Sequence, residues 1–176
     1  MARIYREADI ASLAERDIFF DANILLYIYF ASSSMKSWPA TYSAIFSKLL
    51  SNGNRLVVDY NVLSEVINRE LRMSHRSFEA ANGPQNYKLW RSSADGQNAE
   101  TRTYSIIKSL LGSTFQLDGK IYDIDDVNLM LMSNNMDFTD KAIINLCQVR
   151  NYILLTNDKD FSGTDLEILS ANHCVM

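Results

Sequence analysis

Cysteine, proline, glycine, histidine and long apolar runs are all scarce in this chain. Its 176 residues include two Cys, two Pro, six Gly and two His. Cys147 and Cys174 have neither the number nor the spacing of a disulfide framework or a zinc site. So few Gly and Pro exclude collagen-like and low-complexity segments. His75 and His173 lack matching partners and read as structural or exposed. No Ser-His-Asp order, HExxH motif or phosphate-binding glycine loop occurs, which removes the common hydrolase and nucleoside-triphosphatase classes. No apolar stretch approaches the roughly 20 residues of a membrane span. The opening Met1-Ala2-Arg3-Ile4-Tyr5-Arg6-Glu7 has no apolar signal region. A cytoplasmic protein with no membrane contact is expected.

What remains is ordinary globular composition, 47% hydrophobic and 22% charged, in a length that suits one domain with a substantial core. The net charge of −4 is unevenly spread. Residues 69–108 carry seven Lys/Arg against four Asp/Glu, whereas residues 109–176 carry four against ten. The basic block contains Arg69, Arg72, Arg76, Lys88, Arg91, Arg102 and Lys108, with Tyr87, Trp90 and Tyr104 among them. Basic side chains neutralise phosphates and aromatic rings stack on unpaired bases, so this block is a candidate RNA-binding surface. A solvated helical surface with core aromatics explains the same composition.

Strand-like and helix-like segments alternate. Residues 17–21, 56–58, 152–156 and 166–169 read as strands, with another near 120–124. Residues 23–30, 38–51, 61–72, 100–111, 126–135 and 139–150 read as helices. Ser32-Ser33-Ser34 reads as a loop, and Gly112 as a helix end. The polar segment 73–98, broken by Asn82-Gly83-Pro84 and Asp95-Gly96, reads as flexible or inserted. One domain over 1–176, with a helical or loop insertion at about 73–100, is expected. The alternation predicts an α/β fold, a three-layer α-β-α sandwich around a central, mostly parallel sheet.

Acidic residues stand at the ends of the strand-like runs. Ile18-Phe19-Phe20 leads into Asp21, and Ile153-Leu154-Leu155 leads into Thr156-Asn157-Asp158. Glu65 follows Leu56-Val57-Val58-Asp59 by more than a helical turn, and Asp137 and Asp140 precede a helical run. In an open α/β sheet, ligands bind outside the carboxyl ends of the strands. Carboxylates gathered there repel one another unless a divalent cation joins them, and hard oxygen ligands suit Mg²⁺ or Mn²⁺. Asp21 is expected as a direct ligand, with a helix N-cap as its alternative. Asn23 is either a residue that orients a metal-bound water or the Asp21 carboxylate, or a turn residue. Glu65 is expected as a ligand, its alternative being an i,i+4 pair with Arg69. Asp137 is assigned the cap of the helix that Asp140 opens, or a supporting position. Thr156 and Asn157 are suited to holding Asp158 or a scissile phosphate, and Asp160 either joins the cluster or faces solvent.

Four segments together resemble the PIN-domain ribonucleases, including the toxins of VapC type. They are Phe20-Asp21-Ala22-Asn23-Ile24-Leu25-Leu26-Tyr27; Leu56-Val57-Val58 with Val62-Leu63-Ser64-Glu65-Val66-Ile67-Asn68; Asp140-Lys141-Ala142-Ile143-Ile144; and Leu155-Thr156-Asn157-Asp158-Lys159-Asp160-Phe161. The resemblance covers roughly the first 70 and last 40 residues. It implies a PIN-like fold and an Mg²⁺- or Mn²⁺-dependent endoribonuclease. It places the third and fourth acidic positions at Asp140 and Asp158, completing a catalytic, metal-binding set with Asp21 and Glu65. As a toxin the chain would need an antitoxin protein to silence it, and a homodimer is admitted. Two other readings stay open: a catalytically silent module on the same fold that binds RNA or protein, and a receiver-like phosphoacceptor domain. The second wants paired acids at the first strand and a Lys on a late strand, which this chain lacks.

Overall fold

The runs Ile18-Phe19-Phe20, Leu56-Val57-Val58 and Ile153-Leu154-Leu155 are apolar at every position, the pattern of strands covered on both faces. In the computed structural model, which describes residues 3–30 and 37–175, they form three adjacent strands whose nine side chains are at most 2% exposed. The strands are β1 (Arg3–Tyr5), β2 (Asp17–Phe20), β3 (Arg55–Val58), β4 (Phe115–Leu117), β5 (Ile153–Leu155) and β6 (Glu167–Leu169). They build one sheet in the order β1-β6-β5-β2-β3-β4, and every pairing is parallel. With its helices, this is the three-layer α/β sandwich that the alternation predicts.

The connecting helices are α1 (Ala22–Tyr29), α2 (Trp38–Ser51), α3 (Tyr60–Asn82), α4 (Tyr87–Ser92), α5 (Ala94–Ser113), α6 (Ile124–Met130) and α7 (Phe138–Arg150). Short 3-10 helices occupy Glu7–Leu13 and Lys159–Phe161. The loop expected at Ser32-Ser33-Ser34 lies outside the described residues. Among the described residues, no helix is long and apolar enough to cross a membrane.

From β2 the chain passes to β3 on one side and later returns to β5 on the other. The carboxyl ends of β2 and β5 therefore flank a topological switch point, where open α/β sheets bind ligands. Register puts Phe20 beside Leu155, and the Asp21 N–H donates to the Leu155 carbonyl at 3.1 Å. Asp21 and Thr156 consequently emerge side by side at that edge.

The sequence reading and the structure differ in the middle of the chain. Segment 73–98 is largely helical: α3 continues to Asn82, where Gly83 turns the backbone at φ 91°, and Pro84 follows. Asp95-Gly96 lies inside α5, which starts earlier than expected because the Ser93 hydroxyl accepts from the Gly96 N–H at 3.3 Å. That helix runs through Gly112 to Ser113. Leu71, Trp90 and Ala99 form a small second core there, joined by Ile67, Phe78 and Tyr87. The strand expected near 120–124 is replaced by β4, where Phe115 is the side chain that packs inward. Ile121 stands 97% exposed instead. Helix α6 starts two residues early through a reciprocal Asp123–Asp126 capping box and stops at Met130, before Ser133-Asn134-Asn135.

Candidate metal centre

Each acidic position is set by an element end. Asp21 is the N-cap of α1 by backbone, yet its side chain makes no capping bond. Its Oδ2 instead accepts from the Thr156 hydroxyl at 2.6 Å and from the Asn23 amide. Asn23 thus has the orienting role, and its Oδ1 also accepts from the Asn157 N–H at 3.3 Å. Asp137 is the backbone N-cap of α7, again without a side-chain cap bond, and Asp140 sits in that helix's first turn, at the positive end of its dipole. The Asp158 N–H donates to Thr156 Oγ1 at 3.0 Å, and its Oδ1 accepts from the Asp160 N–H at 2.9 Å. Thr156 therefore links the first and last acidic positions.

Glu65, Asp137, Asp140, Asp158 and Asp160 line one cleft of about 530 Å³, together with Arg69. Asp21 is buried behind this wall at 6% exposure rather than on it. Burial pushes its carboxyl up to about 7, against the opposing pull of the Thr156 hydroxyl, and the charges of Glu65 and Asp140 push the same way. Asp140 is raised to about 6, first by burial and then by Asp137, Asp158, Glu65 and Asp160. Carboxylates from β2, α3, α7 and the end of β5 thus feel one another across a shared space. Glu65 also makes the pair with Arg69 weighed from the sequence, at 2.9 Å.

A divalent cation fits this donor set in chemistry. The groups are hard oxygens, and mutual repulsion is what a cation relieves. The set is not closed, however. Among the described residues, no three His, Cys, Asp or Glu side chains stand in an arrangement that holds a metal ion. The residues that would hold one are Asp21, Glu65, Asp140 and Asp158, with Asp137 and Asp160 beside them.

Two tyrosines and an asparagine join the site without a signal in the sequence. Asn157 is clamped from three sides: the Tyr42 hydroxyl donates to its Oδ1 at 2.9 Å, its Nδ2 donates to the Tyr27 hydroxyl at 3.3 Å, and its carbonyl accepts from Asn172 at 2.8 Å. Tyr27 and Tyr42 stack at 5.7 Å between centroids. In the sequence both read as ordinary helix positions, and Tyr42 lies 115 residues from Asn157. Asp59 is buried as the α3 N-cap, where its Oδ1 accepts from the Val62 N–H at 2.8 Å.

The basic block divides. Glu65, Arg69, Arg72 and Arg76 follow one another by four, three and four residues on α3, the spacing of one helical face. A stripe of positive charge thus leads away from the cleft, although Arg72 lies over the Tyr87 ring at 5.2 Å. Lys88 is exposed on α4, whereas Arg91 is tied to Glu100. Trp90 is 1% exposed in the second core and Tyr87 stacks on it, so neither is an open platform for a base. Tyr104 is 42% exposed, with its hydroxyl on Glu100.

No protein-family model and no curated protein sequence matches this chain.

Proposed function

We propose that the protein is a divalent-cation-dependent endoribonuclease of PIN type, hydrolysing RNA phosphodiester bonds in the cleft beside Asp21. The observation that carries this reading is the convergence of Asp21, Glu65, Asp140 and Asp158, from four separate elements, at the switch point between β2 and β5. Asp21, Glu65, Asp140 and Asp158 would hold an Mg²⁺ or Mn²⁺ ion, which would supply a water of lowered pKa and offset charge on the phosphate. Thr156 and Asn23 fix the Asp21 carboxylate, and the α7 N-terminus favours the charged form of Asp140. Without a cation the acidic wall repels RNA, while Arg69, Arg72 and Arg76 attract its backbone along α3. Incubating purified protein with structured RNA, with and without Mn²⁺ or Mg²⁺, tests the reading. Cleavage only with metal is the expected result. RNA left intact in both, but bound, would favour the silent-module alternative.

Calorimetric titration with Mn²⁺ is expected to show binding that weakens as pH falls, since protonated carboxylates do not ligate. Asp140→Asn should weaken it more than Asp137→Asn. The reverse order would move the third ligand one turn back, to Asp137, and leave the rest of the centre in place.

RNA affinity should fall when Arg72 and Arg76 are both changed to Gln, and its dependence on salt should flatten. Two lost phosphate contacts lower the log–log slope by about 1.4, at about 0.7 each for single strands. Arg91→Gln should change the slope less, because its guanidinium is already engaged by Glu100. An unaltered slope in the double variant would make the α3 stripe an ordinary solvated face.

A silencing protein partner of the kind that a toxin needs is supported by one surface. Ile121, Ile124, Leu129, Leu131 and Met132 are 64–97% exposed. Lys141 holds this segment against the first turn of α7 by donating to the carbonyls of Met130 and Met132 at 2.9 and 2.8 Å. The apolar surface therefore adjoins the helix start that carries Asp140. A cytoplasmic location belongs to the same proposal.

A further inference from the structure

Helices α3 and α5, with Phe30 just past α1, line a second, solvent-open cavity of about 520 Å³ that shares no lining residue with the acidic cleft. Its size suits a small organic ligand. Its apolar wall includes Phe30, Met73 and Phe78, with the buried Trp90 behind them, and its polar wall sets Glu70 on α3 against Arg102 on α5. The Ser74 hydroxyl donates to Glu70 Oε1 at 3.1 Å, and the carboxyl is raised by burial, with the Arg102 charge pulling it down. Arg102 is exposed at the mouth of the cavity and, among the described residues, makes no hydrogen bond or ion pair. Opposite charges thus face one cavity without closing on each other. Asp95 also lines the cavity, but it sits in the first turn of α5, where the helix dipole accommodates its charge.

We propose that this cavity binds an α-amino acid with an apolar side chain, its ammonium group against Glu70, its carboxylate against Arg102 and its side chain among Phe30, Met73 and Phe78. A guanidinium matches a carboxylate in planar, two-pronged geometry, and a half-buried carboxylate is satisfied by an ammonium. A phosphate ligand is disfavoured because Glu70 and Asp95 would repel it. A simple amine would leave Arg102 unmatched, and a simple carboxylate would leave Glu70 so. The site is independent of the proposed nuclease centre and needs no metal.

The chain has two Trp, so Trp38→Phe leaves Trp90 as the reporting indole in the full-length protein. Its fluorescence, with calorimetry on the same samples to register binding that leaves the indole unchanged, is followed during titration with L-leucine and L-phenylalanine. The parallel probes are isopentylamine, which lacks the carboxylate, and 4-methylpentanoate, which lacks the amine. Saturable binding of at least one amino acid is expected. Both analogues, and both Glu70→Gln and Arg102→Gln, should bind about tenfold more weakly or worse, as for loss of one charged contact. Three results would overturn the proposal: no saturable signal by either method up to about 10 mM, where even weak sites register; equal binding of either single-charge analogue; or unchanged affinity in both variants.

Discussion

Asp21→Asn is expected to abolish metal-dependent RNA cleavage while leaving the metal-free protein at least as stable as the parent at pH 8. The Asp21 carboxyl is buried and held near 7, so it is neutral in the fold at a pH where it is charged in the unfolded chain. Because its folded value is raised, its unfavourable contribution is absent below about pH 4. The penalty grows as pH rises towards 7 and stays constant above that. A displacement from 3.8 to about 7 corresponds to about 4 kcal/mol at its full extent. Both side-chain hydrogen bonds that Asp21 receives fall on Oδ2, so an amide oxygen in that place can keep them. Thermal unfolding in chelator from pH 4 to pH 8 checks this. The parent should lose stability across that range, with Asp140 adding to the loss, and the Asn variant should lose much less. A variant less stable than the parent at pH 8, or one that still cleaves RNA, would remove Asp21 from the centre.

Gly96→Ala should be the most destabilising conservative change in the helical half of the protein. In an open helix this exchange is favourable by up to about 1 kcal/mol. Here a Cβ would meet the Trp90 carbonyl oxygen at far below contact distance, and the Arg91 Cα at 2.6 Å. Both are backbone, so no side chain can yield. Relief requires α4 to lift from α5, which opens the second core around Trp90. A cost of about 3 kcal/mol, the upper part of the range for overpacking, would lower Tm by about 6–12 °C in a chain of this size. Gly112→Ala is the control, since an added Cβ there meets nothing within 4 Å. It should be neutral or slightly stabilising. If the two variants melted together, α4 would not be seated on α5 as described.

How much of this was legible in the sequence depended on the range of the cause. The strands β2, β3 and β5 could be read because burial on both faces demands uninterrupted apolar runs. Strand β1 could not: its three residues owe their place to β6, over 160 residues away, and to Arg6, whose guanidinium donates to the carbonyls of Ser170, Asn172 and Val175. Segment 73–98 misled because Gly96 reads locally as a breaker. Its absent side chain instead serves the close approach of another backbone. The two readings of Trp90, a base-stacking ring or a core aromatic, could not be separated for a similar reason, since the small core that buries it exists only once α3, α4 and α5 pack.

Asp21 and Asp158 could be nominated because strand ends are local features, and the parallel sheet follows from the order of strands and helices. The sequence alone therefore determined the α/β class and nominated Asp21 and Glu65 from their own neighbours, while the resemblance chose Asp140 over Asp137 and placed the fourth position at Asp158. Only the tertiary structure decided that Asp21 lies behind the cleft wall, that Thr156 links it to Asp158, and that Tyr27 and Tyr42 clamp Asn157. The bonds from Thr156 to Asp21 and between Asn157 and Tyr27 and Tyr42 join residues 135, 130 and 115 positions apart. No local pattern of apolar spacing or capping encodes such a distance.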